Sequence, residues 1–260
     1  MNISIKTPQE IEIMAQGGKI LAEILQKVLA KTVPGTTTLE LDKYTEQLIL
    51  AAGAQPSFKI EKGYQFSTCM NVNDMVVHGL PSEYQLQNGD ILGVDLGVFY
   101  KGFHTDGSWT IEVQSLPAGK AGEKLKVKSK FLETGEIALQ KAIEKCVEEN
   151  HIGDISKTIQ DIVERAGYSS VKQLMGHGVG KKLHEDPDIP CFLRGKVENT
   201  PKIKIGMVLA VEIIYNEGKS PIWYQNDDGW TIVTRDSSLS GLFEHTVTVT
   251  ENGPMVLTKL

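Results

Sequence analysis

Ile91-Leu92-Gly93-Val94-Asp95-Leu96-Gly97-Val98-Phe99 reads as a strand buried on both faces, with one carboxylate in the middle of an apolar run. A carboxylate in such a place is very costly unless it is paired or coordinated. Three more stretches repeat the misplacement. Asp106 lies in Gly102-Phe103-His104-Thr105-Asp106-Gly107-Ser108-Trp109, Glu212 in Val208-Leu209-Ala210-Val211-Glu212-Ile213-Ile214-Tyr215, and Glu244 in Leu242-Phe243-Glu244-His245-Thr246-Val247. None of these runs contains a lysine or arginine, so protonation, water or bound metal must answer for the acids. A solvent-facing side chain explains one such acid readily; four together point to a shared site.

Histidine supplies the missing ligand type. His177 sits in Met175-Gly176-His177-Gly178-Val179-Gly180, where the glycines let backbone approach a ligand closely. A lone Gly-His-Gly is a weak signal, since loop histidines are common. Beside four misplaced carboxylates it reads as the nitrogen ligand of a site otherwise built from oxygen, which suits Co, Mn, Fe or Zn rather than a thiolate-loving ion. Four carboxylates carry more charge than one divalent ion needs. Two ions roughly 3.5 Å apart balance it, and such pairs activate a water and hold a carbonyl. The residues alone therefore describe a two-metal hydrolase.

The elements around these strands follow an order. Thr7-Pro8-Gln9-Glu10 opens a helix by capping box, with Ile11, Met14, Leu21, Leu25 and Val28 at helical spacing and Pro34-Gly35 as its stop. Thr37 and Glu40 open a second, with Leu41, Tyr44, Leu48 and Ala52 as its stripe and Gly53 at its end. From about 66 to 113 the pattern is of short β runs with turns at 71–73, Pro81 and Gly89-Asp90. A long helix is predicted over about 121–149, a shorter one after Gly153-Asp154 ending at Gly167, and strands over 207–215, 231–234 and 242–250. Helix, helix, strands thus occurs twice. The order predicts one α+β domain, 1–260, of two related halves (about 1–115 and 120–260) around one site.

The 260 residues are 40% hydrophobic and 23% charged, with a net charge of −6, so a basic nucleic-acid footprint is not expected. Lys120, Lys124, Lys126, Lys128 and Lys130 read as a solvated face or loop. Cys69, Cys146 and Cys191 show no paired spacing, which fits neither a disulfide frame nor a zinc knuckle. The amino terminus lacks the apolar core of a signal peptide, and no run reaches the roughly 18 apolar residues of a membrane span. The expected location is the cytoplasm, with no membrane contact.

Taken in order, Val77-His78-Gly79-Leu80-Pro81, the Asp95 strand, Gly102-Phe103-His104-Thr105-Asp106, Gly176-His177-Gly178-Val179-Gly180, His184-Glu185-Asp186-Pro187, Asp228-Gly229-Trp230-Thr231 and Phe243-Glu244-His245-Thr246 resemble the type I methionine aminopeptidases over nearly the whole chain. The resemblance implies the pita-bread fold, a curved antiparallel sheet flanked by helices in two pseudo-symmetric halves. It implies two divalent ions, with Asp95 chelating one, Asp106 and Glu244 bridging both, and His177 and Glu212 completing the other. Glu212 would also manage the nucleophilic water, His78 would serve the scissile amide, and His184 the substrate carbonyl. Tyr64, Cys69 and Trp230 resemble walls of a methionine pocket, and Asn73 and Ser240 match positions near a monovalent cation. His104 reads as a residue behind the ligands. The implied partners are methionyl amino termini of nascent chains, with the ribosome as a candidate contact and no nucleic acid bound directly; a monomer is expected.

Four departures bear on pocket shape rather than on ligands. Ile213 follows the ligand glutamate where the family usually has proline. Leu183 replaces an aromatic before the second histidine and is expected to admit a somewhat larger second residue. Ile60-Glu61 replaces a Gly-Tyr pair, and Gly107 replaces a hydroxyl residue. Two rival enzyme readings share the fold. Prolidase-like enzymes usually carry an extra N-terminal domain, for which a first helix opening at Thr7 leaves no room. Type II methionine enzymes carry a helical insertion, for which the short span from His177 to Glu212 leaves none. A non-catalytic pita-bread binding protein would be expected to have lost ligands, and all five are present.

Overall fold

Both capping boxes form as the sequence predicts. In the computed structural model, which describes residues 2–114, 130–225 and 228–259, Thr7 Oγ1 accepts the Glu10 amide and the Glu10 carboxylate accepts the Thr7 amide, opening α1 (Pro8–Lys31). Thr37 and Glu40 do the same for α2 (Thr38–Ala51). Each box satisfies amides that a helix start leaves without partners. Met14, Leu21, Leu25 and Val28 of α1 are buried, and the helix packs across two long strands.

Those strands follow β1 (Gln55–Pro56), β2 (Thr68–Val72) and β3 (Met75–Val77); they are β4 (Ile91–Tyr100) and β5 (Phe103–Glu112). They join through Lys101 (φ 47°) and Gly102 (φ 92°), the two positive-φ positions of a tight hairpin. Lysine is not a turn signature, so the sequence reading has no turn here. The second half repeats the sequence of element types: α3 (Lys130–Ile143), α4 (Ile152–Arg165), β6 (Ser169–Ser170), β7 (Met175–Gly178), β8 (Glu185–Pro190), β9 (Val208–Asn216), β10 (Ile222–Tyr224), β11 (Ile232–Thr234), β12 (Ser240–Thr250) and β13 (Gly253–Val256).

One antiparallel sheet runs β1-β4-β5-β12-β9-β7-β8, with β2 also on β4, β6 on β9 and β13 on β12; β10, β11 and β3 form a small second sheet. The halves meet where β5 pairs β12. α1 and α2 cover the core of the first half, around Leu92, Val94 and Leu96. α3 and α4 cover that of the second, around Leu209, Tyr215 and Phe243. No helix among the described residues is long and apolar enough to cross a membrane.

One expectation is corrected. The helix predicted to reach 149 ends at Ile143. There the Lys145 and Cys146 amides turn back to the Ala142 and Ile143 carbonyls, Glu149 takes φ 72°, and the Ile203 amide donates to the Asn150 carbonyl at 2.7 Å. Tertiary pairing thus replaces the last helical turns. The start predicted near 121, with Lys120, Lys124, Lys126 and Lys128, lies outside the described residues. His177, to which the sequence assigned no element, stands in β7, paired with Ala210 of β9.

A single buried carboxylate ties α2 to the sheet. Asp42 Oδ1 accepts the Ser67 amide (2.9 Å), the Thr68 amide (2.9 Å) and the Thr68 hydroxyl (2.8 Å). Burial raises its pKa, and these three donors work against that rise. Asp42→Ala strands buried donors, each costing on the order of 1–3 kcal/mol. The variant is expected to lose about 3 kcal/mol or more in urea unfolding, and Asp42→Asn, which keeps an acceptor oxygen, to lose less. A loss within about 0.5 kcal/mol, the range of a surface change, would contradict this reading.

Candidate metal centre

Strand register, not chain proximity, assembles the site. Cys69 of β2 lies opposite Asp95 of β4, Asp95 opposite Ser108 of β5, Ser108 opposite Glu244 of β12, and Glu244 opposite Glu212 of β9. Residues directly opposite in a ladder share a face, so these five form one row across five strands. Two residues along a strand returns to the same face. Asp106 therefore joins the row from beside Ser108, and His177 joins it because its partner Ala210 is two residues from Glu212. The flanking glycines serve this closeness: a Cβ on Gly176 would lie 2.5 Å from the Ala210 carbonyl oxygen, and one on Gly178 would fall onto that of Asp186.

Asp95, Asp106, His177 and Glu244 are buried, whereas Glu212 is only half-buried. Among the described residues none of the four acids is ion-paired with lysine or arginine. Asp106, His177 and Glu244 each offer a ligand atom within 4.8 Å of the others. Asp95 Oδ1 is buried with no hydrogen-bond partner. His177 Nδ1 lies 2.9 Å from the Gly178 carbonyl oxygen; that oxygen can only accept, so the proton sits on Nδ1 and Nε2 is left as a ligand. An orphaned carboxylate oxygen, converging acids and an imidazole of fixed tautomer fit divalent metal.

The electrostatics agree. Burial raises the pKa of Asp106 to about 7. Burial, and then the Asp106 charge, push Asp95, Glu212 and Glu244 well above the ordinary carboxylate range. Burial and then His184 lower His177 to about 3. Every group resists charging by itself, and a divalent cation reverses that preference for the carboxylates.

The acids line one cavity of about 190 Å³ together with His78, His184 and an apolar wall. Phe58, Tyr64, Cys69 and Leu183 are buried in that wall, with Phe66, Leu80 and Trp230 packed on it. Tyr64 meets Trp230 edge-on at 5.0 Å between ring centroids and donates its hydroxyl to the Thr68 carbonyl at 2.8 Å. His78, at φ 56°, points its ring edge-on to Trp230 at 6.3 Å. Burial and then His184 lower its pKa to about 4. His184 stands at the rim, open to solvent on one side, its ring 4.3 Å from that of His177. Partial desolvation lowers its pKa, and Glu61 opposes the shift.

The structure thus brings together all ten residues read as metal, histidine and pocket positions. Asn73 and Ser240 also meet, through a Ser240 amide to Asn73 carbonyl bond of 2.9 Å, but they lie off the cavity wall. His104 is buried elsewhere, its Nδ1 2.9 Å from Ser57 Oγ. Leu183 and Glu61, noted only as departures, and Phe58 and Lys62 also line the cavity. Phe58 carries no sequence signal beyond being aromatic.

Acids whose folded pKa is raised make stability depend on pH with a definite sign. With metal removed by a chelator, the folded chain keeps protons that the unfolded chain releases near pH 4. Stability should fall as pH rises from there through about 7, the folded value of Asp106. Thermal unfolding of chelated protein is expected at a higher Tm at pH 5 than at pH 8, with Asp106→Asn flattening the difference. A Tm that rises with pH would contradict this.

A family model for metallopeptidase family M24 matches residues 12–251. The chain is 43% identical to a methionine aminopeptidase of Clostridium perfringens over 98% of each protein. The solved methionine aminopeptidase of Thermotoga maritima superposes with a TM-score of 0.91 at 36% identity, over 100% of both chains. A prolidase of Pyrococcus furiosus shares the fold at 24% identity and TM-score 0.76, with 65% of that longer chain covered. With nearly its full length matched, this chain belongs to metallopeptidase family M24, on the type I methionine aminopeptidase branch.

Proposed function

We propose that this chain is a two-metal aminopeptidase that removes the initiator methionine from new proteins and prefers a small second residue. One observation carries the reading: a row of buried acids opens directly onto an apolar pocket walled by Tyr64, Cys69 and Trp230. The likeness to methionine aminopeptidases supports it.

In this reading Asp95, Asp106, His177, Glu212 and Glu244 would hold the divalent ions. Bound divalent ions supply Lewis acidity for amide hydrolysis. Glu212 is the acid with solvent access, and its raised pKa suits a group that takes a proton from the attacking water. His78 is neutral near pH 7, so it serves the scissile amide as a neutral hydrogen-bonding group. His184, at the rim, steadies the substrate carbonyl. Methionine suits the pocket because an unbranched thioether packs well against sulfur and aromatic rings.

Two measurements test this. Asp106→Ala is expected to bind fewer divalent ions than wild type and to lose nearly all activity; unchanged stoichiometry with full activity would exclude the two-metal assignment. In a panel of Met-X-Ser peptides, X as Ala, Gly or Ser should be cut and X as Lys or Phe should not, with Leu-X-Ser slower by about tenfold or more. Preference for X-Pro peptides, or equal cleavage after Leu and Met, would move the activity to a prolidase-like or broad aminopeptidase.

A further inference from the structure

Lys6 and Glu185 form a buried ion pair that the chemistry above leaves unused. Nζ lies 2.7 Å from Oε2, with the side chains 3% and 12% exposed. Residues 180–184, within the connection from β7 to β8, wrap around this carboxylate. The Lys182 amide donates to Glu185 Oε1 at 3.1 Å, and the Gly180 amide donates to the Lys182 carbonyl at 3.0 Å. A Cβ on Gly180 would lie 2.6 Å from Lys6 Cε and 2.8 Å from Glu185 Oε1, so the backbone presses directly on the pair. Burial by itself would raise the Glu185 pKa, yet Lys6 and the loop amides hold it below the ordinary range.

The pair is anchored at its other end. The Lys6 amide donates to the Gly206 carbonyl at 2.8 Å, and the next residue, Thr7, caps α1. The loop closed over the pair ends in His184, the immediate neighbour of Glu185. His184 is exposed, and its ring stands 4.3 Å from that of His177. Buried ion pairs add little net stability over apolar replacements. What this one supplies is geometry: the Glu185 carboxylate joins Lys6 of the N-terminal segment to the Lys182 amide of the loop.

We propose that Lys6 is a positioning residue for His184, acting through Glu185 to hold residues 180–184 closed so that the imidazole stays over the reaction centre. The proposal rests on the reading that His184 meets the substrate carbonyl. The rival account is that the pair merely anchors the N-terminal segment.

The test uses metal-loaded, full-length protein and a Met-Ala-Ser peptide. Lys6→Met is expected to lower kcat about tenfold with KM changed less than about twofold, and Lys6→Arg to retain most activity. In a His184→Ala background, Lys6→Met should change kcat by less than about twofold, since the residue it acts through is gone. Equal losses in both backgrounds, or a lowered Tm with unchanged kcat, would overturn the proposal. Should Lys6→Met fail to fold, Glu185→Gln, which keeps volume and an acceptor, takes its place in the same cycle. Histidine-selective NMR gives a readout independent of turnover: the His184 signal should shift or broaden in Lys6→Met while that of His151 stays. A wild type that cuts no methionyl peptide would sink the functional reading alone, whereas an unmoved His184 signal would sink the positioning role alone.

Discussion

Mutual repulsion among Asp95, Asp106, Glu212 and Glu244 sets the terms for the rest of the structure. All four lie on one face of one sheet, three are buried, and none has a basic partner among the described residues. A row of this kind is costly to fold around, and it is retained because a divalent cation turns the same cost into affinity. Stability and function are therefore coupled at the centre of the molecule. The strands that carry the acids are the long ones, β4, β5, β9 and β12, packed between cores from both halves. Val94, Leu96, Val211, Ile213 and Phe243, which alternate with the acids along these strands, turn to the opposite face and into the two cores.

The cavity divides the chemistry by polarity. Its acid end is built from the sheet, where side chains are fixed by register. Its apolar end is built from loops and short elements, where Tyr64, Cys69, Leu183 and Trp230 pack on one another. The two histidines lie at the junction, His78 against Trp230 and His184 against His177. Both have lowered pKa values, so their surroundings favour the neutral form of each. A cationic imidazole there would compete with the divalent cations for the same carboxylates.

What could be read from the chain alone follows from how local each signal is. The capping boxes at Thr7 and Thr37 span four residues and form as written. A carboxylate inside a greasy run is likewise visible within one strand, which is why Asp95, Asp106, Glu212 and Glu244 could be picked out before any pairing was known. The register that lines them up depends on strands far apart in sequence, and no single stretch contains it. Lys6 and Glu185 are 179 residues apart, and each alone looks like an ordinary surface charge. The early end of α3 is of the same kind, because the competitor for its last turns is the distant Ile203 backbone. The strand position of His177 was not legible, since its flanking glycines answer to Ala210 and Asp186 rather than to a turn.

The seam between the halves shows how far the site governs the sheet. β5 and β12 share only two directly opposed pairs, Glu244 with Ser108 and His245 with Gly107. Beyond these the strands part, and hydroxyl groups take over the ladder. Thr246 Oγ1 accepts the Asp106 amide at 2.9 Å and donates to the Asp106 carbonyl at 2.8 Å. On the other side Thr110 Oγ1 accepts the Leu242 amide at 3.0 Å and donates to the Leu242 carbonyl at 2.6 Å. A hydroxyl can give and take one hydrogen bond at once, so each threonine spans a gap that backbone alone could not close without leaving buried amides unpaired. A one-residue slip of β12 would turn Glu244 to the opposite face, and these two threonines oppose it on either side of the acid. The widened seam leaves room for two carboxylate side chains, Asp106 and Glu244, to face the same point, while the threonines keep the register that aims them there.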